Sequence, residues 1–323
     1  MSEQYPLISL VIPVYNTERF LEKCFKSAIA QDYPNLEILI LNNGSTDGSQ
    51  VIIDKYKAID SRIVTYTIDH VPTVKQSKDN CYYRAKGEWI TTLDSDDAIE
   101  ERFVSKLWEK QNHSKADLVV ATMVGVDFDD NRLSVLPRNG FDYEQVMTGK
   151  EAMLKTIKSW LFGMNGALIN KRLFKNIYID NKDCSFYTDE VDSRLFLKEA
   201  SLVAFSTAEY LHTHNPSSTG QKLSWNKYKY KLQTRQGLLK LVSEDVGVQS
   251  AEYGALIWQS LGLCLMTYRF FKTDKKLIKE GDKDDFKAIG GNLMKSIDLH
   301  RWKLSTLVNV PLKGIVNLIM KTL

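Results

Sequence analysis

Leu7-Ile8-Ser9-Leu10-Val11-Ile12-Pro13 is β-branched and almost wholly apolar, the pattern of a strand covered on both faces in a parallel sheet. It runs out at Val14-Tyr15-Asn16. From about Thr17, the residues Phe20, Leu21, Cys24, Phe25, Ala28 and Ile29 recur at helical spacing, so a helix with one buried face is expected. Glu37 to Leu41 reads as the second strand, and the polar run Asn42-Asn43-Gly44-Ser45-Thr46-Asp47-Gly48 turns into another helix. Ile63 to Ile68 supplies a further strand, and Trp89-Ile90-Thr91-Thr92-Leu93 another. Strand and helix alternating at this spacing give the βαβ rhythm of an open α/β sheet, whose ligands bind outside the carboxyl ends of the strands.

Three polar clusters fall at such ends: Pro13 to Asn16, Asn42 to Asp47, and Asp94-Ser95-Asp96-Asp97. If the last stays extended, Asp94 and Asp96 point to the same side and Asp97 reaches round the turn. Crowded carboxylates repel unless a cation offsets them, and hard oxygen ligands suit Mg²⁺ or Mn²⁺ better than Zn²⁺. Each cluster alone reads as a turn with a helix cap. Three together, one of them acidic, point to a site for a diphosphate. No G-x-G-x-x-G follows the first strand and no G-x-x-x-x-G-K-[ST] occurs, so neither a dinucleotide fold nor a P-loop is indicated. A metal on Asp96 and Asp97 is the available means of holding phosphate.

Ser9 to Asn16, Asn43-Gly44-Ser45-Thr46-Asp47, Ala85-Lys86-Gly87-Glu88-Trp89-Ile90 and Leu93-Asp94-Ser95-Asp96-Asp97 occur in that order over roughly the first hundred residues. Together they resemble the family 2 glycosyltransferases. The resemblance implies a GT-A fold, a Rossmann-like open and mostly parallel sheet flanked by helices. It also implies a nucleotide-sugar donor, a divalent metal and inversion at the anomeric carbon. Carried over position by position, Pro13 and Tyr15 flank the base, Asn42 and Asn43 take its edge-recognition positions, and Asp94 lies near the ribose. Asn16, Lys78 and Ser95 complete the nucleotide-sugar set, while Asp96 and Asp97 face the diphosphate and metal. Two departures stand out. The family usually carries at least one Asp before Gly-Ser, where this chain has Asn42-Asn43. An amide donates as well as accepts, so the base preference can change, with uridine the first expectation. Lys78-Asp79-Asn80 stands where the family has Ala-Arg-Asn, leaving Lys75 or Lys78 to supply the positive charge.

Farther on, Leu118 to Val126 reads as a strand, Asp127 to Asn131 as a turn and Arg138 to Tyr143 as a loop, where the resemblance places the acceptor side. Gly163 to Ile169 resembles the strand that closes the acceptor pocket; its glycines serve either a ligand's close approach or a turn. Phe186 to Asp192 opens a helix at which the family sets a Glu-Asp pair containing the base that takes the acceptor proton. Here the pair is Asp189-Glu190. Aligning the apolar positions selects Glu190, aligning the acid type selects Asp189, and acids at a helix start are also favoured by its dipole, by about 0.3–1 kcal/mol. Tyr210 to Thr219 is similar to a family segment that sometimes lends a His to the metal, and His212 and His214 would share one side of an extended strand.

The 323 residues, 43% hydrophobic and 26% charged, suit a globular domain with an appendage. Residues 1–220 read as the catalytic domain, with its nucleotide-sugar half over about 1–100 and its acceptor half over about 101–220, followed by a helical basic region over 221–323. Residues 222–323 carry 18 Lys/Arg against 9 Asp/Glu, a balance of +9 that leaves −6 for the rest. Helices are expected over Tyr228 to Val242, Tyr253 to Phe271 and Lys287 to Leu299. Trp302 to Leu323 is too interrupted to span a bilayer but suits an anionic membrane surface or a homo-oligomer contact. Aromatics do not alternate with the basic residues, against nucleic-acid binding. Cys24, Cys81, Cys184 and Cys264 are scattered, against a zinc or disulfide framework. No secretory signal is read at Met1-Ser2-Glu3-Gln4-Tyr5-Pro6, so a cytoplasmic enzyme is expected, peripheral on the inner membrane face if the tail binds lipid. No Q-x-x-R-W occurs, so one sugar per encounter is expected, on a saccharide or lipid-linked acceptor. The alternatives are a sugar-activating nucleotidyltransferase, for which Val14 to Arg19 lacks the glycine-rich basic loop, and an inactive nucleotide-sugar-binding protein.

Overall fold

The computed structural model describes residues 5–137, 140–158, 164–174, 188–214 and 223–297. Two compact units divide the chain, one formed by Met1–Lys182 with Asp192–Asn215 and the other by Asp183–Val191 with Pro216–Leu323.

In the first unit the described residues contain ten strands: β1 (Ile8–Val14), β2 (Leu36–Asn42), β3 (Ile63–Thr67), β4 (Trp89–Thr92), β5 (Ala98–Ile99), β6 (Leu118–Val126), β7 (Arg132–Leu136), β8 (Val146–Thr148), β9 (Leu168–Asn170) and β10 (Leu202–Thr213). They form one sheet in the order β3-β2-β1-β4-β9-β6-β10-β5, with β7 on β6 and β8 on β10. The β3-β2-β1-β4 part is parallel. Beyond it β9 runs antiparallel between β4 and β6, and β10 returns parallel to β6. The crossovers are α1 (Glu18–Ile29), α2 (Ser49–Ile59) and α3 (Val74–Arg84); α4 (Phe103–Ser114), α5 (Gly149–Lys158) and α6 (Thr188–Glu199) follow.

The apolar runs form the buried strands because both faces are covered: every residue of β2 is buried, and all of β1 except Pro13. Helix α1 sets Leu21, Cys24, Phe25 and Ala28 into the core, the face its spacing predicts. One buried acid interrupts the apolar pattern. Glu37 on β2 accepts from the Ser9 hydroxyl and the Lys86 N–H, while Ser9 Oγ accepts from the Gly87 N–H. The Ala85-Lys86-Gly87 approach to β4 is thereby tied to the first two strands. Val14 pairs with Asn42 and Val11 with Thr92, so the chain leaves β1, β2 and β4 at the same edge.

In β9 the expected strand is shorter than its sequence signal, and Gly163 lies outside the described residues. Gly166 adopts φ +67°, and a Cβ there would meet the Tyr210 and Phe103 rings at 2.5 and 2.6 Å. Its small size serves ring packing at a turn.

The second unit contains α7 (Trp225–Asp245), α8 (Ala251–Thr273) and α9 (Asp282–Ser296). Ser224 and Ser250 cap the first two, accepting from the Lys227 and Tyr253 N–H groups. Trp225, Phe271 and Phe286 form their aromatic centre, with the two Phe rings stacked 5.4 Å apart. Trp302 to Leu323 lies outside the described residues. No described helix is long and apolar enough to cross a membrane.

Candidate active site

The acidic stretch after β4 is a tight turn. The Asp97 N–H donates to the Asp94 carbonyl at 3.0 Å, which places Ser95 and Asp96 at the tip rather than in an extended segment. Ser95 is buried and its hydroxyl accepts from Thr17 at 3.0 Å. The backbone thus separates the three carboxylates into three environments.

Asp97 is 1% exposed and faces three donors: the Tyr210 hydroxyl at 2.8 Å, the Thr213 N–H at 2.8 Å and His212 Nδ1 at 3.1 Å. By sequence Asp97 stands with Asp96 as a candidate metal ligand, but its carboxylate is engaged by β10. Tyr210 accepts in turn from the Asp94 N–H at 3.0 Å, fixing both ends of the turn. A carboxylate only accepts, so the shared proton belongs on His212 Nδ1 and the lone pair of the neutral ring lies on Nε2. The hydrogen bond to Asp97 raises the His212 pKa, against the lowering effect of burial.

Asp96, like Asp94, is partly exposed. Burial pushes its carboxyl up to about 6, the Asp97 and Asp94 charges add to this, and nearby His212 counteracts it. Asp94 pairs with Lys78 of α3 at 3.0 Å, which brings one ammonium to the rim of the acidic turn. Lys75 sits 3.0 Å from Asp79 and 3.4 Å from Asp192. The Asp79 departure is therefore balanced one helical turn away.

At the ends of β1 and β2 the amides form the frame. Asn16, at φ +50°, receives the Thr46 N–H on its Oδ1 at 2.8 Å. Asn42 receives the Ser45 N–H at 2.9 Å and donates to Gln50 at 2.6 Å. Asn43 donates to the Val71 carbonyl at 3.0 Å and accepts the Val71 N–H at 2.7 Å. Asn42 and Asn43 were expected at the base edge; both amides instead hold neighbouring backbone and side chains. The clamp on Val71 sets His70 against Tyr15, with ring centroids 4.2 Å apart and planes inclined by 21°. Gly44 makes room for it, since a Cβ there would stand 2.9 Å from the His70 nitrogen at φ +68°. Tyr15 is 44% exposed and offers the flat surface a base needs, two residues beyond Pro13 of β1. His70 escaped the sequence reading because nothing local marks a loop histidine that reaches β1 only through Asn43.

The clamp also explains why residue 43 is an amide. Asn43→Asp keeps the acceptor but loses the donor and sets a negative oxygen against the Val71 carbonyl. At a position 3% exposed, the expected loss is about 1–3 kcal/mol, read as a lower denaturation midpoint in urea. An unchanged midpoint would remove this account of the amide.

The sequence pattern described as Glycosyl transferase family 2 matches residues 9–196. The chain belongs to this family. This glycosyltransferase is 29% identical over 229 residues to glycosyltransferase GlyG of Streptococcus pneumoniae, covering 68% of this chain and 75% of that one. It is 24% identical over 176 residues to GalNAc(5)-diNAcBac-PP-undecaprenol beta-1,3-glucosyltransferase of Campylobacter jejuni, covering 54% of this chain and 56% of that one. Staphylococcus aureus TarS 1-349 in complex with UDP-GlcNAc superposes with a TM-score of 0.63 at 15% identity, covering 90% of this chain and 81% of that one. The glycosyltransferase has the GT-A fold.

Among the described residues no group of three His, Cys, Asp or Glu side chains forms a ready-made metal cage, and no described cation pairs with Asp96. The donor set still fits Mg²⁺ or Mn²⁺, which are held by one or two protein groups while substrate phosphates and water complete the shell. Asp96 with His212 Nε2 would be that protein share. His214 follows β10, exposed, with its N–H on the Val126 carbonyl at 2.7 Å. In the second unit Glu190 lies 3.8 Å from Arg235; the Asp189 side chain lies outside the described residues.

Proposed function

We propose that this glycosyltransferase moves one sugar, with inversion, from a UDP-sugar to a saccharide or lipid-linked saccharide acceptor in cell-surface polysaccharide synthesis. The observation that carries the reading is the turn braced by Asp97, with Asp96 and His212 together beside Lys78 at the edge where β1, β2 and β4 end. Support for the donor comes from TarS, solved with UDP-GlcNAc. Support for the acceptor comes from the Campylobacter relative, named for an undecaprenol-linked glycan.

In this reading Tyr15, backed by His70, stacks on the base, and Lys78 exchanges Asp94 for phosphate oxygens. Asp96 and His212 hold the cation, and Asp97 keeps His212 in the tautomer that can ligate. A bound Mn²⁺ or Mg²⁺ supplies Lewis acidity that neutralises charge on the departing diphosphate. The acceptor hydroxyl attacks the anomeric carbon and its proton passes to Asp189 or Glu190. The bond from that carbon to the diphosphate oxygen breaks, and its electron pair leaves with the nucleotide.

Thermal unfolding with UDP, GDP and CDP, each with and without Mn²⁺, tests the donor side. UDP with Mn²⁺ at about one hundred times its Kd is expected to add about 2.7 kcal/mol, and UDP alone clearly less. Stabilisation by no nucleotide would remove the reading. Stabilisation by UDP-sugars without sugar transfer or donor hydrolysis would leave a binding protein.

A further inference from the structure

In the second unit, α8 is a 23-residue helix that buries Leu256, Ile257, Leu261, Cys264, Phe270 and Phe271 against its neighbours. Its opposite face presents large apolar side chains to solvent: Trp258 is 48% exposed, Leu265 47% and Met266 59%. Exposed Gly262 lies between them, and exposed Arg269 and Lys272 continue the same stripe at three- and four-residue spacing. No acid shares that stripe. Beyond the helix end, Lys275, Lys276 and Lys279 are exposed with Leu277 at 46%. The acids nearby are exposed Glu280 beside Lys279, partly buried Asp274, bonded by the Thr273 hydroxyl, and those of the α9 start, where Asp285 pairs with Lys229.

We propose that this face of α8 docks the protein on an anionic lipid bilayer, Trp258, Leu265 and Met266 entering the headgroup boundary while Arg269, Lys272 and the following lysines meet lipid phosphates. The charge pattern selects this occupant. An amphipathic helix with apolar residues on one face and cations at its flank lies in an anionic interface. Two copies meeting through the same acid-free stripe would instead bring cations together with no acid to offset them. The residues belong to the second unit alone, so the proposal stands apart from the sugar-transfer reading.

The test is sedimentation of the full chain with vesicles of phosphatidylcholine and phosphatidylglycerol, against phosphatidylcholine alone. The wild type is expected to partition at least about tenfold more strongly onto the anionic vesicles and to be released as salt rises. Two variants with unaltered thermal unfolding, Trp258→Ser with Leu265→Ser and Arg269→Glu with Lys272→Glu, should each lose most of that partition. As a second readout, the blue shift of tryptophan emission on vesicle addition should shrink in Trp258→Phe. Equal binding to both vesicle types would overturn the proposal. So would variants that bind like the wild type, or that dissociate a dimer while vesicle binding persists.

Discussion

Asp96→Ala is expected to lower kcat/KM for metal-supported sugar transfer by about 10²–10³-fold, the usual cost of removing one group that stabilises developing charge. The structure separates this loss from a folding defect. The Asp96 carboxyl is held up to about 6, chiefly by burial and then by Asp97 and Asp94. A carboxyl raised in this way favours the fold while protonated, fully below its unfolded value near 3.8, and the contribution is lost as pH rises through about 6. At pH 7 without metal, the ionised group is therefore a cost. Alanine removes it, so the metal-free variant should unfold at the same temperature as the wild type or slightly higher. Added Mn²⁺ should stabilise the wild type in the presence of UDP and leave the variant unmoved. Unchanged turnover would end the assignment of Asp96 to the cation; a fall in thermal stability matching the activity loss would assign it to the frame.

The sheet was legible because its strands are written as apolar runs. Leu7 to Pro13, Glu37 to Leu41 and Trp89 to Leu93 differ from β1, β2 and β4 by a residue or two at their ends. Burial on both faces imposes a pattern that local sequence carries. The site was legible as a place, since three polar clusters at strand ends converge on one edge, but not as a division of labour. The donors to Asp97 come from Tyr210 and Thr213, 113 and 116 residues away, and no local rule forecasts which acid a distant strand will occupy. The same holds for Asn43, whose amide looks like a ligand group until Val71 is found on both its atoms. Asp79 stands where the family has Arg, which by sequence leaves Lys75 or Lys78 to supply the charge; Lys75, one helical turn back, is instead the counter-ion of Asp79 itself. Gly166 answered to Tyr210 and Phe103, a packing demand invisible without the fold.

Asp97→Asn should separate positioning from ligation. The asparagine can retain an acceptor for only one side of the site. With its oxygen toward Tyr210 and His212 its NH₂ meets the Thr213 N–H, and in the flipped orientation it meets the Tyr210 hydroxyl and His212 Nδ1. Either way a buried donor loses its acceptor, a cost of about 1–3 kcal/mol. The functional cost comes through His212. Without a carboxylate on Nδ1 the ring is no longer held to the tautomer with its lone pair on Nε2, and such outer partners typically contribute about 10–100-fold to metal affinity or activity. The Mn²⁺ concentration for half-maximal transfer should therefore rise by about that factor, with transfer at saturating Mn²⁺ recovering much of the wild-type rate. His212→Ala should raise the same concentration at least as far. In the double variant the two effects should overlap rather than multiply, because both changes remove one ligand. Independent, multiplying effects would show that Asp97 does not act through the imidazole, and a Mn²⁺ response unchanged in Asp97→Asn would leave the carboxylate with only its role in holding the turn to β10.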